Sequence, residues 1–173
     1  MYIPPPFLVT DRETICDFIE RSPFATLVSA TGGVPAVSHL PLFLDEKTSR
    51  ADNDSEPHRG DEDGALHLLG HFARENSHCE RADGQNVLAV FHGPHSYISP
   101  AWYKSKNVVP TWNYQAVHAT GTLELIEDPV AMLHLLSRTV DQFESSRELP
   151  WSLESPSLES PSLESPETDF IQE

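Results

Sequence analysis

Apolar and polar positions change period several times along the 173 residues, and each change marks an element. The first nine residues contain Pro4–Pro6 and cannot be helical, so they read as an extended arm carrying Tyr2, Ile3, Phe7 and Leu8. Thr10 and Glu13 then form a capping box, which predicts a helix with Thr10 as its N-cap. Ile15, Phe18 and Ile19 fall at helical spacing and give it one apolar stripe, and Pro23 marks its end. Phe24–Ala30 alternates as a strand does. Gly32-Gly33 fits a tight hairpin turn, and Val34–Leu44 returns as a strand made irregular by Pro35 and Pro41. Asp45–Gly64 is polar throughout and reads as a mobile acidic loop. Ala65–Phe72 is a third strand, with Gly70 admitting close backbone approach, and Ala73–Asp83 suits a short helix or turn. Asn86–Phe91 is a buried strand. Gln115–Glu127 is a long alternating one, with Gly121 as the expected bulge. Asp128-Pro129 opens a last helix lined by Val130, Leu133, His134, Leu136, Val140 and Phe143. About six strands at hairpin-like spacing with two main helices predict an α+β fold, a small antiparallel barrel with flanking helices.

Charge changes the picture of the partners. The formal net charge is −16, but residues 45–64 and 144–173 hold most of it, and the remaining chain is nearly balanced. Duplex DNA draws proteins mainly through cations that displace counterions, and no basic stripe is present, so direct DNA binding is not expected. Cys16 and Cys79 have no paired spacing. The start lacks the charged and apolar regions of a secretory signal, and no apolar run reaches the roughly 20 residues of a membrane span. These features predict a cytoplasmic protein with reduced thiols. From Ser152 the chain spells SLESP three times, a five-residue period that matches neither helix nor strand. Residues 1–143 are thus expected to form the domain, and 144–173 an acidic, mostly disordered tail.

The chemistry of the chain is concentrated between His92 and Tyr114, which reads HGPHSYISPAWYKSKNVVPTWNY. This stretch holds two of the three Trp and three of the four Tyr. Rings with polar tips, interleaved with Ser, His, Asn and Lys, suit a flat, polar-edged ligand in a mostly apolar pocket. A Pro-rich turn whose rings cap the core accounts for the same composition. No phosphate-binding glycine loop, nucleophile elbow or HExxH motif occurs, and His92-x-x-His95 lacks nearby ligands to complete a zinc set. Any reaction would therefore be carried by a cofactor.

The blocks MYIPPPF, TDRE, PFATLVSATGG, SHLPLFL, GHFAREN, NVLAVFHGPHSYISPAWY and VPTWNYQAVHATGTLELIEDP resemble, in order and spacing, the PaiB-type FMN-binding negative transcriptional regulators. The resemblance covers about residues 1–143, with a weaker echo at 150–152 and 169–171, and YISPAWY and VPTWNY are its most specific parts. It implies a split-barrel flavoprotein, a homodimer with FMN at the subunit seam, and a regulatory role with flavin redox chemistry open to it. Arg74 and Lys104 are then the expected phosphate clamp. Ser38, His39, Ser99, Thr111 and Asn113 would bond the ribityl chain and ring edge. Tyr97, Trp102, Tyr103, Trp112 and Tyr114 would wall the ring slot, and His71 lies next to Arg74 in the same set. Two departures stand out: a short connection at 104–107, and the SLESP copies where the family carries a helix and closing strand. A cofactor-free interaction module, and haem held by one histidine, are the competing expectations.

Overall fold

The computed structural model describes residues 3–30, 33–45 and 65–153. Of the acidic loop expected at 45–64, residues 46–64 lie outside the described residues, as do the repeats past Leu153. Contacts divide the chain into two compact units, residues 1–135 and 136–173.

Helix α1 spans Arg12–Arg21. Its N-cap is Asp11, not Thr10: the Asp11 carboxylate accepts from the Thr14 amide at 2.9 Å and the Thr14 hydroxyl at 2.6 Å. A carboxylate reaches the third amide of the helix as well as a hydroxyl would, and it also meets the positive end of the helix dipole. Those two bonds, the hydroxyl first, hold the Asp11 carboxyl below its ordinary value. Ile15, Phe18 and Ile19 turn inward as their spacing requires.

Strands β1 (Phe24–Ser29) and β2 (Ala36–Pro41) pair antiparallel, with Ser29 opposite Ala36 and Phe24 opposite Pro41. The expected irregularity of the returning strand is a break at Leu42, whose amide is taken by the Pro23 carbonyl at 2.8 Å. Past it, β3 (Phe43–Leu44) pairs with β4 (Leu68–Leu69) in a separate two-stranded sheet. The strand expected over Ala65–Phe72 is thus only two residues long. Gly70 beyond it lies so close to β2 that an added Cβ would sit 2.9 Å from the Pro41 carbonyl oxygen. Helix α2 (His78–Ala82) follows a turn.

Strands β5 (Asn86–Ile98) and β6 (Thr111–Thr122) are longer than their apolar cores and form one extended hairpin. The ladder takes in His92–Ile98 and Thr111–Tyr114, residues that read as irregular connection because Gly, Pro and polar groups dominate them. Its bulge lies between His92 and His95. Gly121 is instead in register opposite Val87. Gly93-Pro94 supplies the reason, since proline cannot donate to a ladder and glycine tolerates the bend. The main sheet runs β2-β1-β5-β6, all antiparallel. Among the described residues it closes into no barrel, and β3-β4 is a sheet of its own. Helix α3 spans Pro129–Glu144 and opens on Asp128, whose carboxylate accepts from the amides of Val130 and Ala131, both at 3.2 Å. Glu144 at its end pairs with Arg147 at 3.1 Å and accepts from the Trp151 amide at 2.9 Å.

One face of the main sheet makes the core. Ala25 and Leu27 of β1, Leu40 of β2, and Ala89 and Phe91 of β5 are buried there with Ile19, Leu42 and Leu44. Strand alternation then fixes every other residue to the opposite face.

Candidate functional site

That opposite face is where the rings lie. On β5 and β6, His95 stands opposite Tyr114 and Tyr97 opposite Trp112, and His92 opposite Ala116. The bulge adds one residue to β5, so His92 and His95, three apart, share a face, as their partners two apart do. The His95 and Trp112 rings stack with centroids 5.8 Å apart at 27°, and Tyr97 leans on Trp112 at 6.2 Å. These rings are not swallowed by the core: Tyr97 is 47% exposed, Trp112 54% and Tyr114 57%. A shallow cavity of about 280 Å³ opens beside them, lined by His92, Gly93, His95, Trp112, Tyr114 and Gln115. Its floor is tight. A Cβ on Gly93 would lie 2.7 Å from the Phe18 ring and 3.2 Å from the Gln115 Cβ.

The same face continues across the sheet. It carries Phe24, Thr26 and Val28 on β1, Val37 and His39 on β2, and Leu88, Val90 and His118 toward the other end of the hairpin. Phe24 is 65% exposed and Val37 52%. The sequences of β1, β2, β5 and β6 contain no Asp, Glu, Lys or Arg at all. An antiparallel sheet with one face in water normally alternates apolar-in with polar-out. Here the outward positions are aromatic, aliphatic, Thr or His, apart from Asn86 at the start of β5.

The expected site residues separate into groups. Tyr97, Trp112 and Tyr114 come together on the ring face. Thr111 and Asn113 alternate to the other side of β6, opposite Ile98 and Ser96. Ser99 caps a 3₁₀ turn over Pro100–Trp102, its hydroxyl accepting from the Ala101 amide at 3.2 Å. Trp102, Tyr103 and Lys104 follow on that turn, all exposed. His39 belongs to the ring face but on β2, its Nδ1 3.1 Å from the Thr26 hydroxyl and its ring stacked over Phe24 at 6.3 Å. His71 and exposed Arg74 lie between β4 and α2, and His71 Nδ1 is buried without a hydrogen-bond partner among the described residues.

Ser38 points the other way, into the interior, and serves a second polar cluster. His78 is 2% exposed, with Nδ1 2.8 Å from the Ser38 hydroxyl and Nε2 2.9 Å from the Ser29 hydroxyl. Asn76 donates to Ser38 at 3.0 Å and accepts from the His78 amide at 3.0 Å. The edge of His78 meets Phe72 with centroids 5.8 Å apart. Burial, reinforced by nearby Arg81, lowers the His78 pKa and keeps the ring neutral. A neutral imidazole offers one donor and one acceptor, and hydroxyls satisfy both. The cluster ties the turn carrying Arg74 to the sheet.

Sequence reasoning left out His92, His95, Gln115 and His78. For the first three the available signal was Gly93-Pro94 inside an otherwise continuous strand pattern, which marks a bulge. For His78 there was none, because its partners are 40 and 49 residues away.

A four-stranded antiparallel sheet with α1 packed on its core side, and a ring-lined cavity beside an opposite face whose strands carry no charged residue, defines a mixed α/β protein suited to a planar ligand. The chain belongs to the family described as "Putative FMN-binding domain", which it matches over residues 1–163. It is 36% identical over 159 residues to the Protease synthase and sporulation protein PAI 2 of Bacillus subtilis, an alignment spanning 90% of this chain and 69% of that protein. It is 40% identical over 92 residues to an uncharacterized protein of Saccharomyces cerevisiae, spanning 50% of this chain and 54% of that one. An uncharacterized protein of Aspergillus fumigatus is 30% identical over 161 residues, spanning 76% and 59%.

Proposed function

We propose that this chain is a cytoplasmic, FMN-binding regulatory protein of split-barrel type that acts as a homodimer, with the flavin ring against the His95–Trp112–Tyr114 patch. The carrying observation is the outer sheet face, which bears exposed rings and no formal charge in a chain of net charge −16. Two copies of an acidic chain repel over most of their surface, and this face is where they approach without like charges opposed. The cavity of about 280 Å³ falls at the small end of ligand sites, which usually run from about 300 to 1,000 Å³. It is the size for a ring system rather than for all of FMN, so the ribityl phosphate extends beyond it.

The residues present fit that division. Trp112, Tyr114 and His95 give stacking surface, and Gln115 lines the same cavity. Arg74 and Lys104 are exposed cations for the phosphate, with Ser99 for the ribityl chain, whereas Thr111 and Asn113 face the other side of β6 from the ring patch. Ser38 is committed to His78 and supports the site from inside. Bound FMN supplies electron or hydride chemistry at its ring, and the protein orients it. The name of the Bacillus relative refers to protease synthase and sporulation, and a regulatory role here follows that likeness. Direct contact with DNA is no part of the proposal, since the sheet offers no cation. The family likeness speaks for FMN and gives haem no support.

Titration of FMN with the purified chain, read by quenching of flavin fluorescence, tests the reading. Saturable quenching is expected, and Trp112→Ala should weaken it. Losing one stacked ring is worth about 0.5–1.5 kcal/mol, roughly two- to twelvefold in Kd. No quenching by the unaltered chain at any concentration would refute it.

A further inference from the structure

We propose that pairing through the outer sheet face is gated by protonation of the histidines it carries, so that the dimer is stable in neutral solution and comes apart in mild acid. This rests on the homodimer reading above.

The four strands contain His39, His92, His95 and His118, and all four point to the outer face. The core face of the same strands has no histidine. His39 and His118 end one row across the sheet, His39–Thr26–Val90–His118. Three strand spacings separate them, roughly 14 Å. His92 and His95 sit further along, brought onto this face by the bulge. Among the described residues, the four strands put no charged side chain beside them. On β1 the neighbours are Phe24, Thr26 and Val28, and β2, β5 and β6 add no carboxylate, amine or guanidinium. Tyr97 and Tyr114 are phenols, which carry no charge in acid.

Neutral imidazoles are tolerable in an apolar seam, where they can bond a hydroxyl as His39 bonds Thr26. Imidazolium ions are not, because a buried cation without a carboxylate partner loses its hydration and gains nothing in return. Imidazole is the side chain that changes charge between about pH 5 and 8. Two-fold pairing would bring two sets of these rings into one seam, and each proton taken up by either copy favours separation. The sign is diagnostic. Acid makes a chain of charge −16 less negative, and that change alone would promote association. With the fold intact, loss of the dimer in acid therefore points to the seam.

Sedimentation velocity on the full chain at about pH 8 and about pH 5.5, at fixed ionic strength and with far-UV circular dichroism on the same samples, tests this. The expected result is a dimer at the higher pH that weakens by about tenfold or more at the lower, with unchanged helix and strand signals. The variant H39Q/H118Q keeps hydrogen-bonding groups and removes two charge sites. It should still pair at the higher pH and show a flatter fall of association with acid. Equal association of the unaltered chain at both pH values overturns the gate and leaves the dimer standing. An unflattened slope in the double variant also overturns the gate. A monomer at both pH values overturns the homodimer reading itself.

Discussion

Protonating His78 would place a cation between two serine hydroxyls and the edge of Phe72, with Arg81 near. The folded chain resists this because burial lowers the His78 pKa below its ordinary 6.5. The unfolded chain therefore takes up the proton first. Stability from this group is fully present above about pH 6.5 and falls as pH drops through that value toward the lowered folded pKa. Urea melts should show a smaller free energy of unfolding at about pH 5.5 than at about pH 8, and His78→Gln should flatten that difference. His78→Ala removes the partner of two buried hydroxyls, each costing about 1–3 kcal/mol when left unsatisfied, and should destabilise at both pH values. An unaltered pH dependence in the glutamine variant would show that another group is responsible. At this scale the sequence was half legible. Asp128-Pro129 announced its helix, and the first helix was found with its cap one residue early, because Thr10 and Asp11 are both competent caps and only the backbone decides between them.

Among the elements, the β5-β6 hairpin carries the most consequence. Its apolar inner half reads plainly from NVLAVF and QAVHA, since alternation and β-branching agree there. Its outer half did not read as strand at all. Gly93, Pro94, Ser96 and Asn113 have weak strand preference and mask that of Tyr97, Trp112 and Tyr114, and all of them join the ladder because each strand pairs with the other once the inner half has set the register. Gly93 is the pivot: it lets the bulge settle against the Phe18 ring of α1. Gly93→Ala should cost about 1–3 kcal/mol by overpacking, measured by denaturant melts, and should weaken FMN binding by shifting His95 from Trp112. Full stability with the alanine in place would mean that α1 yields freely there. The two-residue β3-β4 ladder shows the reverse error, a long apolar run that makes only a short strand because its side chains are used in the core around Leu42 and Leu44.

Across the whole molecule, the sheet has two faces of unlike purpose, and charge separates them from everything else. Among the described residues the acidic groups lie on helices and connections, and the four strands of the main sheet carry none. Val37 sits half exposed on the outer face, where a carboxylate is harmless to the single chain. Val37→Glu should therefore leave the melting temperature of the monomer nearly unchanged and abolish pairing, as judged by light scattering coupled to gel filtration. Dimers of undiminished affinity would place the seam elsewhere.

The order of the elements, the starts of α1 and α3 to within a residue or two, the inward positions of β1 and of the inner hairpin, and the family likeness were all present in the sequence, because local period and cap chemistry depend on near neighbours. Which rings share a face, that His92 and His95 come to the same side, that Ser38 serves His78, and that a face without charge spans four strands were decided only by tertiary structure. Each depends on register between segments far apart in the chain, and one extra residue at 93–94 reverses every outward position beyond it.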